Sequence, residues 1–449
     1  MTTWRVTRRG VRVVGSLLGW GLLLTASAEA ATYYVATNGD DANLCTLSAP
    51  CRTINHGASL LTPGDTLYVR AGTYAESLVD AFRNGTSWSN AVTLAVYPGE
   101  TVVLSPGGGH DYAIYVGPSH SYIVIEGLVI DGTDLGSNTI QLEGADHIRL
   151  KNVEVKNSVY SGVWVSGSAN EFIGLQSHDN GFTVYEGNGY CWYGIYMHGN
   201  SHVIEHSSFH HNGGYGIHIY DNVGGNDDII VRNNVIYENG HCGVGGRGIV
   251  YDSGSGGLIY NNVIWGNATG GITVDYRAFN TKVYNNTVVN NPDLGIYIGS
   301  GSSSAEVSNN IVYQNGSSID NDGSGTTITN NWVDQDPKFL NPSAQDFHLT
   351  LPSPAIDAGL TLPEVTIDFD GVSRPQGASH DIGAYEYRAT TLLPGDLDGN
   401  GQRDLADVRL IIYMLLGQQA TTPEAELTGD GAVTLADVQA LIRLIIGVP

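Results

Sequence analysis

Basic residues are scarce in this chain. It has 20 Lys and Arg against 45 Asp and Glu, a formal charge of −25 at neutral pH. That balance argues against nucleic acid and anionic membranes as partners, because both take their affinity from cations set against phosphates. An anionic polymer would also be repelled unless bound cations or a local basic cluster compensated, so calcium is expected with any such substrate. Cysteine is limited to Cys45, Cys51, Cys191 and Cys242. No CxxC pair occurs, which argues against a zinc knuckle, and in an exported chain disulfides are the expected state. Cys45 and Cys51 could close a small loop, and Cys191 and Cys242 could be joined across a groove. Beyond the first thirty residues no apolar run approaches the length of a membrane span.

The N-terminus reads as an export signal. Arg5, Arg8, Arg9 and Arg12 precede the short apolar run VVGSLLGWGLLL, and Ala28-Glu29-Ala30 fits a small-residue cleavage site. Loss of residues 1–30 would move the formal charge from −25 to −28. The expected product is secreted, extracellular or on the cell surface, and monomeric.

What the chain has in abundance is a two-part repeat. One part begins with Gly-Ile or a close variant: SGVWVSG, YGIYMHG, YGIHIYD, RGIVYDS, GGITVDY, LGIYIGS. The other ends in paired asparagines, which begin at Asn233, Asn261, Asn285, Asn309 and Asn330, spaced 28, 24, 24 and 21 apart. Self-similarity at this period predicts a solenoid. The segments are short, β-branched and alternating, and Gly and Asn interrupt them, so they read as strands. The expected fold is all-β, a parallel β-helix whose corner asparagines bond to the coils above and below.

These features resemble the right-handed parallel β-helix proteins of the pectate-lyase-like superfamily. YYVATNGDDANLCTLSAPCRTINHGASLLTPGDTLYVRAGTY resembles the opening cap and first coil of that group, and SPAIDAG with DFDGVSRPQGASHDIGAYEY resembles its closing segment. The resemblance implies a right-handed solenoid and leaves lyase, hydrolase, epimerase and adhesin open, since the fold hosts all of them.

Composition changes after Tyr387. In GDLDGNGQRDLADVRLIIYMLLG, Asp396, Asp398, Asn400, Gln402, Asp404 and Asp407 occupy positions 1, 3, 5, 7, 9 and 12 of a calcium-type loop, with Gly401 at position 6. ELTGDGAVTLADVQALIRLIIG repeats the design with Glu426, Thr428, Asp430 and Asp437. The pair resembles type I dockerins, which implies two calcium loops, each followed by a helix, and docking on a cohesin. Leu405-Ala406 and Leu435-Ala436 hold the positions that choose the cohesin in that family. Glu426 and Thr428 depart from the family's usual oxygen donors in the second loop. The expected domains are a signal peptide at 1–30, a capped β-helix at 31–345, a closing segment at 346–388, a linker at 389–394 and a small all-α dockerin-like module at 395–449.

Six of the fourteen histidines lie between Tyr193 and Asp221. Aligning the Gly-Ile strands separates them. Residues between the inward pairs point out, so one outward column reads Trp164, Tyr196, His218, Val250, Thr273 and the next Ser166, His198, Tyr220, Asp252, Asp275. His206 falls where later coils carry the first Asn of each pair, and reads as a substitute in the ladder. His202, His210 and His211 fall on turns and read as structural or solvated. His198 and His218 each neighbour a tyrosine on the adjacent coil, Tyr220 and Tyr196 respectively. Imidazole suits removal of the C5 proton of a uronate, a phenol can return or donate a proton, and the carboxylate then needs a cation. Arg247 and Arg277 flank the columns and can face that carboxylate. Trp164, Tyr196 and Tyr220 offer flat faces for sugar rings, and Asp252 and Asp275 complete the substrate-facing set.

Successive glycines at 162, 194, 216, 248, 271 and 295 are 32, 22, 32, 23 and 24 apart, so the two long coils carry extra loops, which bear Cys191 and Cys242. Tyr193-Gly194-Ile195-Tyr196-Met197-His198 is similar to the Tyr-Gly-Phe/Ile-Asp-Pro-His motif of mannuronan C5-epimerases, with Tyr196-Met197 in place of Asp-Pro. The expected function is a lyase or C5-epimerase on a uronic-acid-containing polysaccharide. Hydrolysis by Asp252 and Asp275 is one alternative, and carbohydrate binding without turnover is another.

Overall fold

A computed structural model describes residues 30–183, 191–222, 225–242, 245–388, 394–397, 403–419, 421–422 and 425–447. The export signal to residue 29, linker residues 389–393 and loop positions Asp398, Asn400 and Gln402 lie outside the described residues.

The repeat winds into a solenoid of three parallel sheets. Among the described residues these have twelve strands from Thr32–Val35 to Thr327–Thr329, ten from Leu78–Val79 to Ser317–Asn321, and eleven from Gly72–Tyr74 to Trp332–Val333. Period-2 alternation sets what lies inside. On the ten-stranded sheet Val163/Val165, Ile195/Met197, Ile217/Ile219, Ile249/Tyr251 and Ile272/Val274 are all fully buried. Phe172 and Phe209 fill the same interior from the other two faces. Helix α1, Ile54–Leu60, closes the N-terminal end, with Thr53 as its N-cap and Ile54 and Ala58 buried in the core.

The paired asparagines divide their work. The second of each pair turns inward: Asn234, Asn262, Asn286, Asn310 and Asn331 are linked by side-chain amides donating to the next coil's Oδ1 at 2.9–3.0 Å. A second ladder runs through Asn180, Asn212, Asn239, Asn267, Asn291 and Asn315. A buried amide left unpaired costs about 1–3 kcal/mol, so these ladders remove a penalty at every corner. The first Asn of each pair sits in the left-handed region (φ 48–57°) and faces out. This corrects the expectation for His206. It adopts the same left-handed corner (φ 51°) and is exposed, while Ser207 holds the ladder by accepting from Leu175 N and donating its own N–H to Asn234 Oδ1. His202 is fully buried and bonded to Asn170 N and His198 O. His210 lies on the strand Ser208–His210 rather than on a turn, stacked between His178 and Tyr237.

The outward asparagines receive the closing segment. Asn261, Asn285, Asn309 and Asn330 donate to the carbonyls of Ile367, Asp381, Leu360 and Ala358. A hairpin of Phe339–Asn341 and Asp346–Leu349 begins this segment, after the last solenoid strand, Trp332–Val333. At its centre the fully buried Arg374 binds Glu386 at 2.7 Å and the carbonyls of Gly383 and Asp381. Further on, helices α2 (Leu405–Leu415) and α3 (Leu435–Ile446) each open with a capping box, Asp404 with Asp407 and Thr434 with Asp437.

Candidate active site

The register places Trp164, Tyr196, His218, Val250 and Thr273 in one column across adjacent coils of the ten-stranded sheet. His218 is its centre. The side chain is 11% exposed, and Nε2 lies 3.4 Å from Asp252 Oδ2. Four tyrosine rings surround the imidazole: Tyr193 at 4.6 Å, Tyr196 at 5.0 Å, Tyr215 at 5.1 Å and Tyr220 at 5.7 Å between centroids. Its Nδ1 is buried and has no hydrogen-bond partner among the described residues.

His198 is half-buried between Trp164, at 5.4 Å, and Tyr196, at 4.8 Å. Burial pushes its pKa below the usual imidazole value; Asp221 opposes the shift and His218 adds to it. The imidazole is therefore neutral at neutral pH. Burial pushes the Tyr196 phenol the other way, to about 12, with Tyr220, Asp221 and Asp252 adding to the shift. One sheet face thus holds a neutral base beside a phenol that keeps its proton.

A bulge brings in a cation. Val250 pairs with Thr273 and Tyr251 with Val274, but Ser253 pairs with Arg277, so the second strand carries one extra residue. Tyr276 takes up the slack in a left-handed conformation (φ 59°). Its ring lies 5.6 Å from Tyr220, with the exposed Arg277 guanidinium 4.8 Å above it. Arg247 opens the strand Arg247–Ser255 opposite Gly270, and its charge acts on Tyr297, further along the column. The two carboxylates face different neighbours. Asp252 meets His218, whereas Asp275 accepts from Gly301 N on the next coil at 3.4 Å.

Tyr193 and Tyr215 were not among the residues expected at the site. They stack on each other at 5.2 Å and close one side of His218. Strict alternation from the inward Ile195 and Ile217 would put both tyrosines inside; the alternation breaks at Gly194 and Gly216, where an added Cβ would itself meet the interior residues Phe209 and Ile236. Beside them, the Cys191–Cys242 disulfide ties the two inserted loops together, and Cys45 and Cys51 form a second disulfide at the N-terminal end. Trp192 packs on Tyr160 at 4.9 Å, next to this staple. Residues 184–190, 223–224 and 243–244 of the inserted loops lie outside the described residues.

In the C-terminal loops, oxygens of Glu426, Asp430 and Asp437 lie within 4.8 Å of one another. Thr428 donates to Glu426 at 3.3 Å. Burial works against the Asp437 carboxylate, but hydrogen bonds from Thr434 and Leu427 outweigh it and bring the pKa down to about 2. An all-oxygen set with a firmly ionised member suits a hard cation such as calcium. In the first loop Asp396 and Asp407 are buried, and Asp407 accepts from Leu397 N and Asp404 N.

Two family models overlap along the solenoid, a Pel9A-like right handed beta helix region over residues 33–192 and a right handed beta helix region over residues 183–333. The chain has the right-handed β-helix fold. Solved structures with this β-helix include pectate lyase Pel9A, with a TM-score of 0.60 and 18% identity over 80% of this chain and 96% of that one. A rhamnogalacturonan lyase follows the β-helix with a TM-score of 0.54 and 16% identity, over 76% of this chain and 99% of its own. An uncharacterized protein of Bacillus subtilis (strain 168), YwoF, is 31% identical over 157 residues. That match takes in 34% of this chain and spans less than a third (30%) of the relative's length. Among the described residues no helix of the β-helix protein is long and apolar enough to cross a membrane.

Proposed function

We propose that the protein acts on a uronic-acid-containing polysaccharide, as a lyase or C5-epimerase, at the face bearing His198, Tyr196 and His218. The observation that carries this reading is the neutral His198 imidazole 4.8 Å from a Tyr196 ring that stays protonated up to about 12. His198 takes the C5 proton of the uronate. In elimination the C5–H electron pair becomes the C4–C5 double bond, and O4 leaves with the Tyr196 proton. In epimerisation the phenol returns a proton to the opposite face of C5. His218, fixed by Asp252, holds Tyr196 in place, and Arg277 neutralises the substrate carboxylate. Trp164 and Tyr220 supply ring surface for neighbouring sugars. The lyase titles among the structural neighbours agree with this reading at the level of fold. Hydrolysis by Asp252 and Asp275 ranks below it, because the two carboxylates engage different partners.

The C-terminal helices are proposed as an export-linked docking module of the dockerin type. Glu426, Asp430 and Asp437 would hold calcium, and the exposed Leu405 and Leu435 would meet a cohesin-bearing scaffold.

Proton NMR in heavy water on pectate, alginate and glycosaminoglycans, with calcium present, tests the catalytic reading. A 4,5-unsaturated uronate identifies a lyase, and deuterium at C5 without cleavage identifies an epimerase. New reducing ends alone would move the assignment to hydrolysis. No change on any polymer, with binding lost in His198→Ala, would leave a binding protein.

A further inference from the structure

Phe182, where the first inserted loop begins, is 51% exposed. It overhangs a cavity of about 580 Å³ lined by Thr133, Asp134, Asn157, Ser158 and Asp179. That volume falls inside the roughly 300–1,000 Å³ of small-molecule sites. The cavity lies over the turns that follow the eleven-stranded sheet, outside the column of His218.

The backbone just before Phe182 is anchored. Its neighbour Gly181 donates to Ser158 O at 2.9 Å, accepts from Trp192 N at 3.1 Å, and has a left-handed φ of 79° that disfavours a side chain. Trp192 adjoins Cys191 of the disulfide. A loop base anchored beforehand lowers the ordering cost of binding there.

The lining chemistry is selective. An exposed ring beside carboxylate, amide and hydroxyl groups suits the C–H face and hydroxyls of a pyranose or furanose. The Asn157 amide nitrogen donates to Asp131 at 3.0 Å, which leaves the carbonyl as the side chain's acceptor. Neither Lys nor Arg is among the lining residues, while Asp134 and Asp179 are exposed. A uronate would be repelled there and an uncharged sugar would not.

We infer that this cavity is a second carbohydrate-binding site, for neutral sugar, which takes the uncharged side branch of a polysaccharide. The inference shares with the proposed function only that the ligand is a carbohydrate. The two readings divide the molecule between an anionic backbone sugar at His198 and a neutral branch at Phe182.

Saturation-transfer NMR and calorimetry with neutral trisaccharides of galactose, arabinose and xylose test it, with trigalacturonate as the anionic control. The full-length protein should bind at least one neutral trisaccharide. Phe182→Ala should weaken that binding at least tenfold and Asn157→Ala several-fold, and His198→Ala should leave it unchanged. Conversely, Phe182→Ala should leave action on unbranched polyuronate intact. Failure of every neutral trisaccharide to bind, or equal binding by Phe182→Ala, would overturn the site. Loss of binding in His198→Ala would assign the ligand to the other face and overturn it as well.

Discussion

Replacing Arg374 by Met should release the closing segment from the solenoid. The guanidinium is fully buried and meets Glu386, Gly383 O and Asp381 O at 2.7–3.1 Å, with Asn261 at 3.4 Å. Methionine keeps much of the volume and removes the charge. Glu386 then keeps only the backbone N–H groups of Gln376 and Asp381 as partners, inside a site that also holds Asp368 and Asp381. Breaking one side of a buried pair costs about 3–5 kcal/mol. The segment's own opening should become easier by that amount, so the protected amides of Leu360 and Gly383 should exchange with solvent roughly a hundred to several thousand times faster. Both amides bond to Asn309, so they report on docking directly. Hydrogen exchange followed by mass spectrometry at constant pH reads the change. The double variant Arg374→Met/Glu386→Leu should recover most of the loss, because a paired hydrophobic replacement of a buried ion pair is close to neutral. Wild-type exchange in the single variant, or equal loss in the double, would refute the argument.

Three further outcomes are expected. For a substrate turned over at the candidate site, kcat/KM should fall in acid with a midpoint below the usual imidazole value of about 6.5, since His198 must be neutral, and Tyr196 should impose no alkaline limb before about 12. His348 lies between Asp346 and Asp370, and these bonds outweigh burial and raise its pKa to about 9. Its stabilisation is therefore complete below about 6.5 and lost as pH rises through about 9; with the side chain 42% exposed this is worth about 1 kcal/mol, so protection factors in the closing segment, corrected for the base-catalysed intrinsic rate, should fall between pH 7 and 10 in wild type but not in His348→Gln. Asn286→Leu strands Ile259 O and Asn262 N, while Asn262 Nδ2 keeps Val231 O and Tyr260 O, and should destabilise by about 2–4 kcal/mol, whereas Asn330→Ala, at an exposed corner, should cost less than about 1 kcal/mol in thermal or denaturant unfolding.

The columns of the site were legible because strand alternation and the Gly-Ile starts fix both face and register. The pairing of Tyr196 with His218 follows from those two facts alone. Corners were harder to read. Both asparagines of a pair look alike in sequence, and only the left-handed turn at the first decides that the second faces in; His206 was misplaced for that reason. The bulge at Tyr276 also escaped, since one added residue in a Gly- and Asn-punctuated repeat leaves no mark until two strands are set side by side. Arg374 looks like an ordinary loop cation in sequence. Its contact with Asn261 spans 113 positions, and no local pattern announces it.

The outward asparagines also govern how the molecule bears tension. A stack of coils pulled from its last strand would peel one rung after another, each rung breaking alone. Here the chain leaves the solenoid through a segment laid across the coils of Asn261, Asn285, Asn309 and Asn330 and bonded to each. Force entering at the C-terminal tail is therefore spread over four coils in shear, and the last turns hold or yield together. One outward residue per turn provides that attachment.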